Sequence, residues 1–442
     1  MPLRERTCCI ITFGCQMNVY DSTRMESMLS QMGYECVDNP QNASLVIVNT
    51  CSVREKAQHK LFSLLGRLRK LKRNGTVLGV AGCVAQQEGM RLLERMEHVD
   101  FLLGTAQIER LPEALEEVGR GRRVAFTSLK PMPVTRPSVP CPRVGVRAML
   151  TVMTGCNNFC SYCVVPYVRG RERSRPAPEI LAEASALVEA GAKEIMLLGQ
   201  NVDSYRDPSS GLEFAGLLRE VARLPGLVRV SFTTNHPRDF TEAIAQVIAT
   251  EPTVVRYVHM PAQAGSDRVL AVMRRGYTRA QYLEKVRMLR EIAGDVALGG
   301  DMIVGFPGET QEDFTQSLSL LEEVRYDLLY SFAYSDRPFT RASRMSGKLP
   351  TDVKLRRLGQ LQALQREISR QLHQALVGTR ARVLVEGPAK KGQGLMAGHD
   401  ECGRVVNFPG EEGLVGQVVE VEITEGRENS LVGRIVDPAR EG

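Results

Sequence analysis

The chain has 442 residues, of which 43% are hydrophobic and 24% charged, and 57 basic against 51 acidic side chains give a net charge of +6. At roughly 150 residues per domain this length predicts about three domains of ordinary globular composition, which excludes disorder, collagen and small disulfide scaffolds. No apolar run reaches the ~18 residues of a bilayer span, and Met1-Pro2-Leu3-Arg4-Glu5-Arg6 lacks the apolar core of a signal peptide, so a cytoplasmic protein without membrane association is expected. In a reducing cytosol the 11 cysteines stay unpaired, and any that cluster read as metal ligands or nucleophiles.

Up to residue 130, β-rich apolar runs alternate with helical patterns. The runs are Cys8 to Phe13, Leu45 to Asn49, Val77 to Ala81 and Val99 to Leu103; the helical patterns are Tyr20 to Met32, Arg54 to Lys72 and Ala85 to Arg95. Alternation at this spacing predicts an open, doubly wound α/β domain over 1–130, a parallel sheet with its ligand site at the carboxyl ends of the strands. Residues 131–142 hold five of the 22 prolines, a density that neither helix nor central strand tolerates, and read as a linker.

A second domain over 143–374 offers six strand candidates: Ala148 to Met153, Glu194 to Leu198, Arg229 to Thr233, Arg256 to Met260, Ala297 to Phe306 and Leu328 to Tyr334. Helical stretches such as Glu179 to Ala190, Arg279 to Ile292 and Gln311 to Val324 separate them. Six β/α units are two short of a closed eightfold barrel, so a partial barrel is expected, with an open side that a large substrate can enter. The helix Asp352 to Leu376 leads into 375–442, where 11 glycines within 378–433 punctuate the β-branched runs Ala381 to Val385, Gly416 to Thr424 and Leu431 to Val436. This texture predicts a small antiparallel β-barrel of about five strands. The region carries 8 basic against 11 acidic residues, which argues against binding a polyanion by bulk charge.

Cys156-x3-Cys160-x2-Cys163 directly follows the first barrel strand, where one loop can wrap three thiolates around an inorganic cluster. Three cysteines leave one iron of a 4Fe-4S cube without a protein ligand. That open iron can chelate the amino and carboxylate groups of S-adenosylmethionine and pass an electron to its sulfonium. A zinc site is the competing reading, but it needs a fourth Cys or His at finger-like spacing. Tyr162 places an aromatic ring beside the third cysteine. Later strand ends carry the small, polar loops Gly199-Gln200-Asn201, Pro261 to Ser266 and Gly305-Phe306-Pro307-Gly308-Glu309, as active-site loops of a barrel do, although each alone is more often a turn. Motif and barrel together resemble the radical S-adenosylmethionine superfamily.

In the first domain Cys15, Cys51 and Cys83 close successive strands, 36 and 32 residues apart. Units of that length can gather three thiolates on one sheet edge around a second cluster, and three separately buried cysteines account for the spacing equally well. The surrounding sequence weighs for the first. Gly14-Cys15-Gln16-Met17-Asn18, Asn49-Thr50-Cys51-Ser52-Val53-Arg54-Glu55-Lys56-Ala57, Gly82-Cys83-Val84-Ala85-Gln86, the 156–160–163 triad followed by Val164-Val165-Pro166-Tyr167-Val168-Arg169-Gly170-Arg171-Glu172, and Leu198-Gly199-Gln200-Asn201-Val202 together resemble the methylthiotransferases, and among them the MiaB family, over nearly the whole chain.

The resemblance implies two 4Fe-4S clusters, an auxiliary one on Cys15, Cys51 and Cys83 and a radical-generating one on Cys156, Cys160 and Cys163, with S-adenosyl-L-methionine as cosubstrate. It implies transfer of a methylthio group to carbon 2 of N(6)-dimethylallyladenosine beside the tRNA anticodon, and a TRAM-like third domain that holds the stem-loop. The expected partners are the tRNA anticodon stem-loop, an electron donor such as flavodoxin or ferredoxin, and an iron–sulfur assembly carrier, with the protein acting as a monomer. Tyr162, Gly199, Gln200 and Asn201 are candidates for holding the cofactor; Asn18, Arg169, Arg171, Arg173, Arg175, Lys390 and Lys391 are candidates for the RNA. Arg404 and the basic run Arg67, Arg69, Lys70, Lys72 and Arg73 are further phosphate candidates.

The chain departs from the family pattern at Asn235, Met260, Ala262 and Ala264, and at Phe339 and Arg341, which replace Gly and Pro near the last barrel strand. Cys8, Cys9, Cys36, Cys141 and Cys402 match no ligand position and read as structural, as do His236 and His259. Related substrates would be threonylcarbamoyl-adenosine in tRNA or an aspartate of a small-subunit ribosomal protein; Gln16-Met17-Asn18 favours the dimethylallyl-adenosine branch. A non-catalytic iron–sulfur RNA-binding protein is the reading from another class.

Overall fold

A computed structural model describes residues 6–52, 55–130, 144–392 and 394–436. The linker expected over 131–142, with Cys141, lies outside the described residues. Among them, no helix is long and apolar enough to cross a membrane.

The first domain is a parallel sheet in the order Glu35–Cys36, Thr7–Phe13, Leu45–Thr50, Val77–Gly82, Phe101–Leu103, Val124–Phe126. The strand Leu45–Thr50 is buried at every position, which is why it reads as a continuous apolar run rather than an alternating one. The two edge strands, of two and three residues, escaped the sequence reading because neither is long enough to show a period. The helix expected from Tyr20 begins at Gln16, with Cys15 as its N-cap. The helix expected over Ala85 to Arg95 is two, Cys83–Glu88 and Met90–Arg95, broken where Gly89 takes φ 54°. The topology reverses between Thr7–Phe13 and its two neighbours, which opens a crevice at the carboxyl edge.

The second domain curves two three-stranded parallel sheets into one partial barrel. Arg147–Thr151, Glu194–Leu198 and Arg229–Phe232 form the first sheet, and Tyr257–His259, Ala297–Val304 and Leu328–Ala333 the second. A bridge between Val230 and Val254 and a hydrogen bond from Asn235 N to His259 O (3.3 Å) join them. The first and last strands are the free edges, so the barrel is open between them. On the last strand Leu328, Tyr330 and Phe332 remain exposed, an apolar stripe along that opening.

The helix Thr351–Gln374 packs on the last strand and leads into a closed barrel in the order Arg380–Pro388, Leu395–His399, Val405–Pro409, Leu431–Ile435, Val418–Gly426. The expectation of a purely antiparallel barrel is corrected at one seam: Val405–Pro409 runs parallel to Leu431–Ile435. Closure requires this, because Val418–Gly426 crosses to pair with Arg380–Pro388, and the next hairpin returns in the direction of Val405–Pro409.

This small barrel docks on the amino ends of the larger barrel's strands through charged groups. Arg229 donates to the carbonyls of His399, Asp400 and Arg382, and Arg404 pairs with Asp327 at 2.9 Å, both largely buried. Arg404 is therefore an interdomain tie, which corrects its reading as a phosphate contact. Replacing Arg229 with Met strands three acceptors, each costing about 1–3 kcal/mol when left buried. Calorimetry should then resolve a third-domain transition at lower temperature than in wild type; one unchanged transition would contradict this role.

Candidate functional site

Two sets of three thiols meet at the contact between the first domain and the barrel. Cys15 follows Thr7–Phe13, Cys51 follows Leu45–Thr50, and Cys83 opens the helix after Val77–Gly82, so three adjacent strands deliver all three to one edge. The glycines in front of two of them are there for space. A Cβ on Gly14 would lie 2.7 Å from Cys51 Cβ, and one on Gly82, at φ 90°, would lie 2.3 Å from Asn49 Oδ1. The Cys51 thiol lies within hydrogen-bond reach of both neighbours. This contact holds Cys15 and Cys83 below the ordinary thiol value, with burial opposing and the Arg169 charge assisting, while Cys51 itself is pushed up.

Asn18 lies beneath this edge, wholly buried. Its Oδ1 accepts from Cys15 Sγ (3.3 Å), and its Nδ2 donates to Asn49 Oδ1 (3.1 Å). Its reading as an RNA contact is corrected: its polar atoms are used in supporting the thiols.

The second set sits on the loop between the paired short strands Met153–Thr154 and Arg173–Ser174. Gly155 is required because a Cβ there would lie 2.0 Å from the Arg171 carbonyl oxygen. Asn158 N donates to Cys156 Sγ (3.4 Å) and Arg275 Nη1 to Cys160 Sγ (3.5 Å). Burial raises the Cys156 thiol, and it pushes Cys163 up to about 12. Tyr162 is half-buried against the barrel core.

The two sets adjoin. Cys83 packs on Val164 and Val168, just past Cys163 in the chain, and Arg169 forms a buried 2.9 Å ion pair with Asp21 of the first domain. Burial works against the Arg169 charge, but Asp21, Cys83 and Cys15 outweigh it and hold the guanidinium charged. Tyr20 OH reaches Glu183 (3.2 Å) across the same boundary.

Four buried polar atoms without hydrogen-bond partners gather at neighbouring carboxyl strand ends: Gln200 Nε2, Asn201 Oδ1, Asn235 Oδ1 and His236 Nε2. Gln200 Oε1 accepts from Gly155 N, and Asn201 Nδ2 donates to Asp239 (2.7 Å), so each amide is anchored by one end and leaves the other free. Gly199 admits close packing; a Cβ there would lie 2.6 Å from Met153 Cγ. Unsatisfied buried groups are rare, and four at one place point to a polar ligand. Burial, assisted by Arg275 and Arg238, pushes the His236 imidazole down to about 2. Its unfolded value is near 6.5, so its contribution to stability is complete above that pH and is lost below it. Denaturant stability should fall by about 1.4 kcal/mol per pH unit below ~6.5 from this group alone. A chemical-denaturation series should show a shallower slope for His236→Asn; an identical slope would contradict the assignment.

A cavity of about 860 Å³ runs through the open barrel, lined by Gln16, Thr234, His259, Asp301, Tyr330 and Phe332 among others, and reaches Arg404 of the third domain. His259 is braced by Tyr257 OH (3.3 Å) and Asp301 (3.4 Å). The stripe Leu328, Tyr330, Phe332 was not singled out in the sequence, although its two-residue period was the available signal.

Among the basic candidates, Arg171, Arg173, Lys390 and Lys391 are exposed, as are Arg67, Arg69, Lys70 and Arg73. The structure corrects three others. Arg169 is buried on Asp21, Arg175 is tied to Glu183 (2.6 Å) and to the Thr151 carbonyl (2.7 Å), and Lys72 pairs with Asp100 (2.6 Å).

No three His, Cys, Asp and Glu side chains among the described residues converge on a single metal ion. A cluster spaces its thiolates by the width of its own iron–sulfur body and requires no such point. Both donor sets fit one: thiols only, backbone or guanidinium N–H aimed at sulfur in the second set, and a buried cation beside the first.

Three family models match the chain: the uncharacterized protein family UPF0004 over residues 7–104, the radical SAM superfamily over 150–321 and the TRAM domain over 374–436. The fold likeness extends to the radical S-adenosylmethionine methyltransferase TsrM from Kitasatospora setae, at a TM-score of 0.58 and 16% identity over 77% of each chain. Partial barrel, thiol loop and domain order thus define a radical S-adenosylmethionine protein. The tRNA-2-methylthio-N(6)-dimethylallyladenosine synthase of Geobacter metallireducens (strain ATCC 53774 / DSM 7210 / GS-15) is 48% identical over 98% of both chains, and that of Acidovorax sp. (strain JS42) 46% identical over 97% of both. The chain belongs to the tRNA-2-methylthio-N(6)-dimethylallyladenosine synthase family.

Proposed function

We propose that the protein transfers a methylthio group to carbon 2 of N(6)-dimethylallyladenosine beside the anticodon of tRNA, with Cys156, Cys160 and Cys163 holding one 4Fe-4S cluster and Cys15, Cys51 and Cys83 the other. Bound there, the two clusters would supply the electron for reductive cleavage of S-adenosylmethionine to a 5'-deoxyadenosyl radical and the sulfur to be methylated and transferred. A radical is needed because the aromatic C–H at carbon 2 offers no acidic proton to a general base.

The observation that carries this reading is the packing of Cys83 on Val164 and Val168, which supports a pairing of the first thiol set with the loop that carries the second. The remaining work falls to the chain's own side chains. Gln200, Asn201, Asn235 and His236 direct their unpaired polar atoms at S-adenosylmethionine, while Leu328, Tyr330 and Phe332 offer an apolar wall to the dimethylallyl group along the barrel's open side. Arg169 and Asp21 hold the first domain against the barrel. Arg171, Arg173, Lys390 and Lys391 contact phosphates of the anticodon stem-loop. The protein acts as a monomer in the cytoplasm, reduced by a flavodoxin- or ferredoxin-like donor and loaded by an iron–sulfur carrier.

The test is anaerobic reconstitution with iron and sulfide, followed by incubation with S-adenosylmethionine, reductant and tRNA carrying N(6)-dimethylallyladenosine. Mass spectrometry of the digested nucleosides should show the methylthio product. 5'-Deoxyadenosine formed without any modified nucleoside would keep the radical chemistry and reject this substrate.

A further inference from the structure

Two of the six described non-glycine residues with positive φ, Phe159 at 46° and Phe339 at 68°, belong to one aromatic cluster on and beside the loop that carries the second thiol set. Side chains rarely hold this conformation, and such outliers concentrate at functional sites. Tyr167 lies between the two rings, its centroid 6.2 Å from each. Tyr167 is 40% and Phe339 47% exposed, large values for rings already in contact with one another. The guanidinium of Arg171 covers the Phe159 ring at 4.8 Å, and Arg173 and Arg341 are exposed nearby in sequence. Ala342 N donates to the Ser161 carbonyl (2.8 Å), which ties the loop carrying Phe339 to the loop carrying the thiols. Buried hydrophobic packing does not explain these rings. Tyr167 and Phe339 are open to solvent, next to the Phe159–Arg171 pair on the loop that carries the thiols.

The geometry points to a stacking platform, formed by Phe339 and Tyr167 and flanked by Arg171, for an unpaired nucleobase next to the modified adenosine in the RNA. Every base has a π-face that an aromatic ring can receive, and a guanidinium completes both the stacking and the backbone charge balance. The Arg171 guanidinium suits RNA and an acidic protein surface alike; the solvent-exposed rings of Tyr167 and Phe339 decide for a base. Phe339 holds a left-handed turn, at φ 68°, while presenting its ring to solvent. The inference rests on the tRNA reading.

Full-length reconstituted protein would be titrated with an anticodon stem-loop RNA that carries N(6)-dimethylallyladenosine and, at the adjoining loop position, a fluorescent adenine analogue that stacking quenches. Wild type should bind and quench. Phe339→Gly, which relieves the backbone while removing the ring, and Tyr167→Ala should each lose quenching and weaken binding roughly 5- to 150-fold, the range that about 1–3 kcal/mol of base–aromatic stacking converts to. Phe339→Tyr should retain both. Thermal melts establish that each variant is folded. Wild-type protein that does not bind the RNA would overturn the tRNA reading and this one with it. Wild-type binding and quenching preserved in both ring-loss variants would overturn the platform alone. So would preserved RNA binding with weakened binding of reduced flavodoxin, which would make the rings a protein-docking patch.

Discussion

Cys51→Ala should abolish the methylthio nucleoside while 5'-deoxyadenosine still forms from S-adenosylmethionine. Cys51 is the middle thiol of its set, in hydrogen-bond contact with Cys15 on one side and Cys83 on the other, and its backbone N–H is fixed to Phe13 O at 2.9 Å. Alanine keeps the backbone and removes one of three thiolates, which leaves too few protein ligands to hold a cluster at that edge. The thiols of the barrel loop are positioned by Gly155, Asn158, Ser161 and Arg275, none of them part of the first domain. Radical generation and sulfur delivery therefore separate in this variant. Liquid chromatography of both products from one incubation measures the split; loss of 5'-deoxyadenosine together with the nucleoside would show that the two sets do not work independently.

Arg169→Met should destabilise the protein by about 3–5 kcal/mol, because breaking a buried pair leaves its partner charged and unpaired. Arg169 and Asp21 are 5% and 4% exposed, so water cannot compensate the carboxylate that remains. The loss should be concentrated at the contact between the first domain and the barrel. The double change Arg169→Met with Asp21→Leu should recover much of the loss, since an apolar pair of similar volume removes the stranded charge. Urea unfolding of wild type, the single and the double variant gives all three values; a single variant within about 1 kcal/mol of wild type would indicate a solvated pair.

What was legible in the sequence was local or periodic. The Cys156, Cys160, Cys163 loop declares itself within eight residues, and Glu194–Leu198 and Gln311–Val324 have the bounds that their patterns predict. The gathering of Cys15, Cys51 and Cys83 followed from the length of a β/α unit once the family resemblance was added. The fates of individual charges were not legible. Arg169 finds Asp21 across 148 residues and Arg404 finds Asp327 across 77, so nothing in their neighbourhoods marks them as buried ties rather than phosphate contacts. Elements of two or three residues lack a period, and the parallel seam of the small barrel depends on how the whole sheet closes. His236 read as a satisfied structural residue; only the fold reveals that its Nε2 has no partner.

Counting iron tests the two-site account most directly. Reconstituted wild type should bind about eight irons per chain, two four-iron clusters, and the variant lacking Cys15, Cys51 and Cys83 about four, with the Mössbauer signature of one cluster. Four irons in wild type, or none in the variant, would contradict two independent cluster-binding thiol sets.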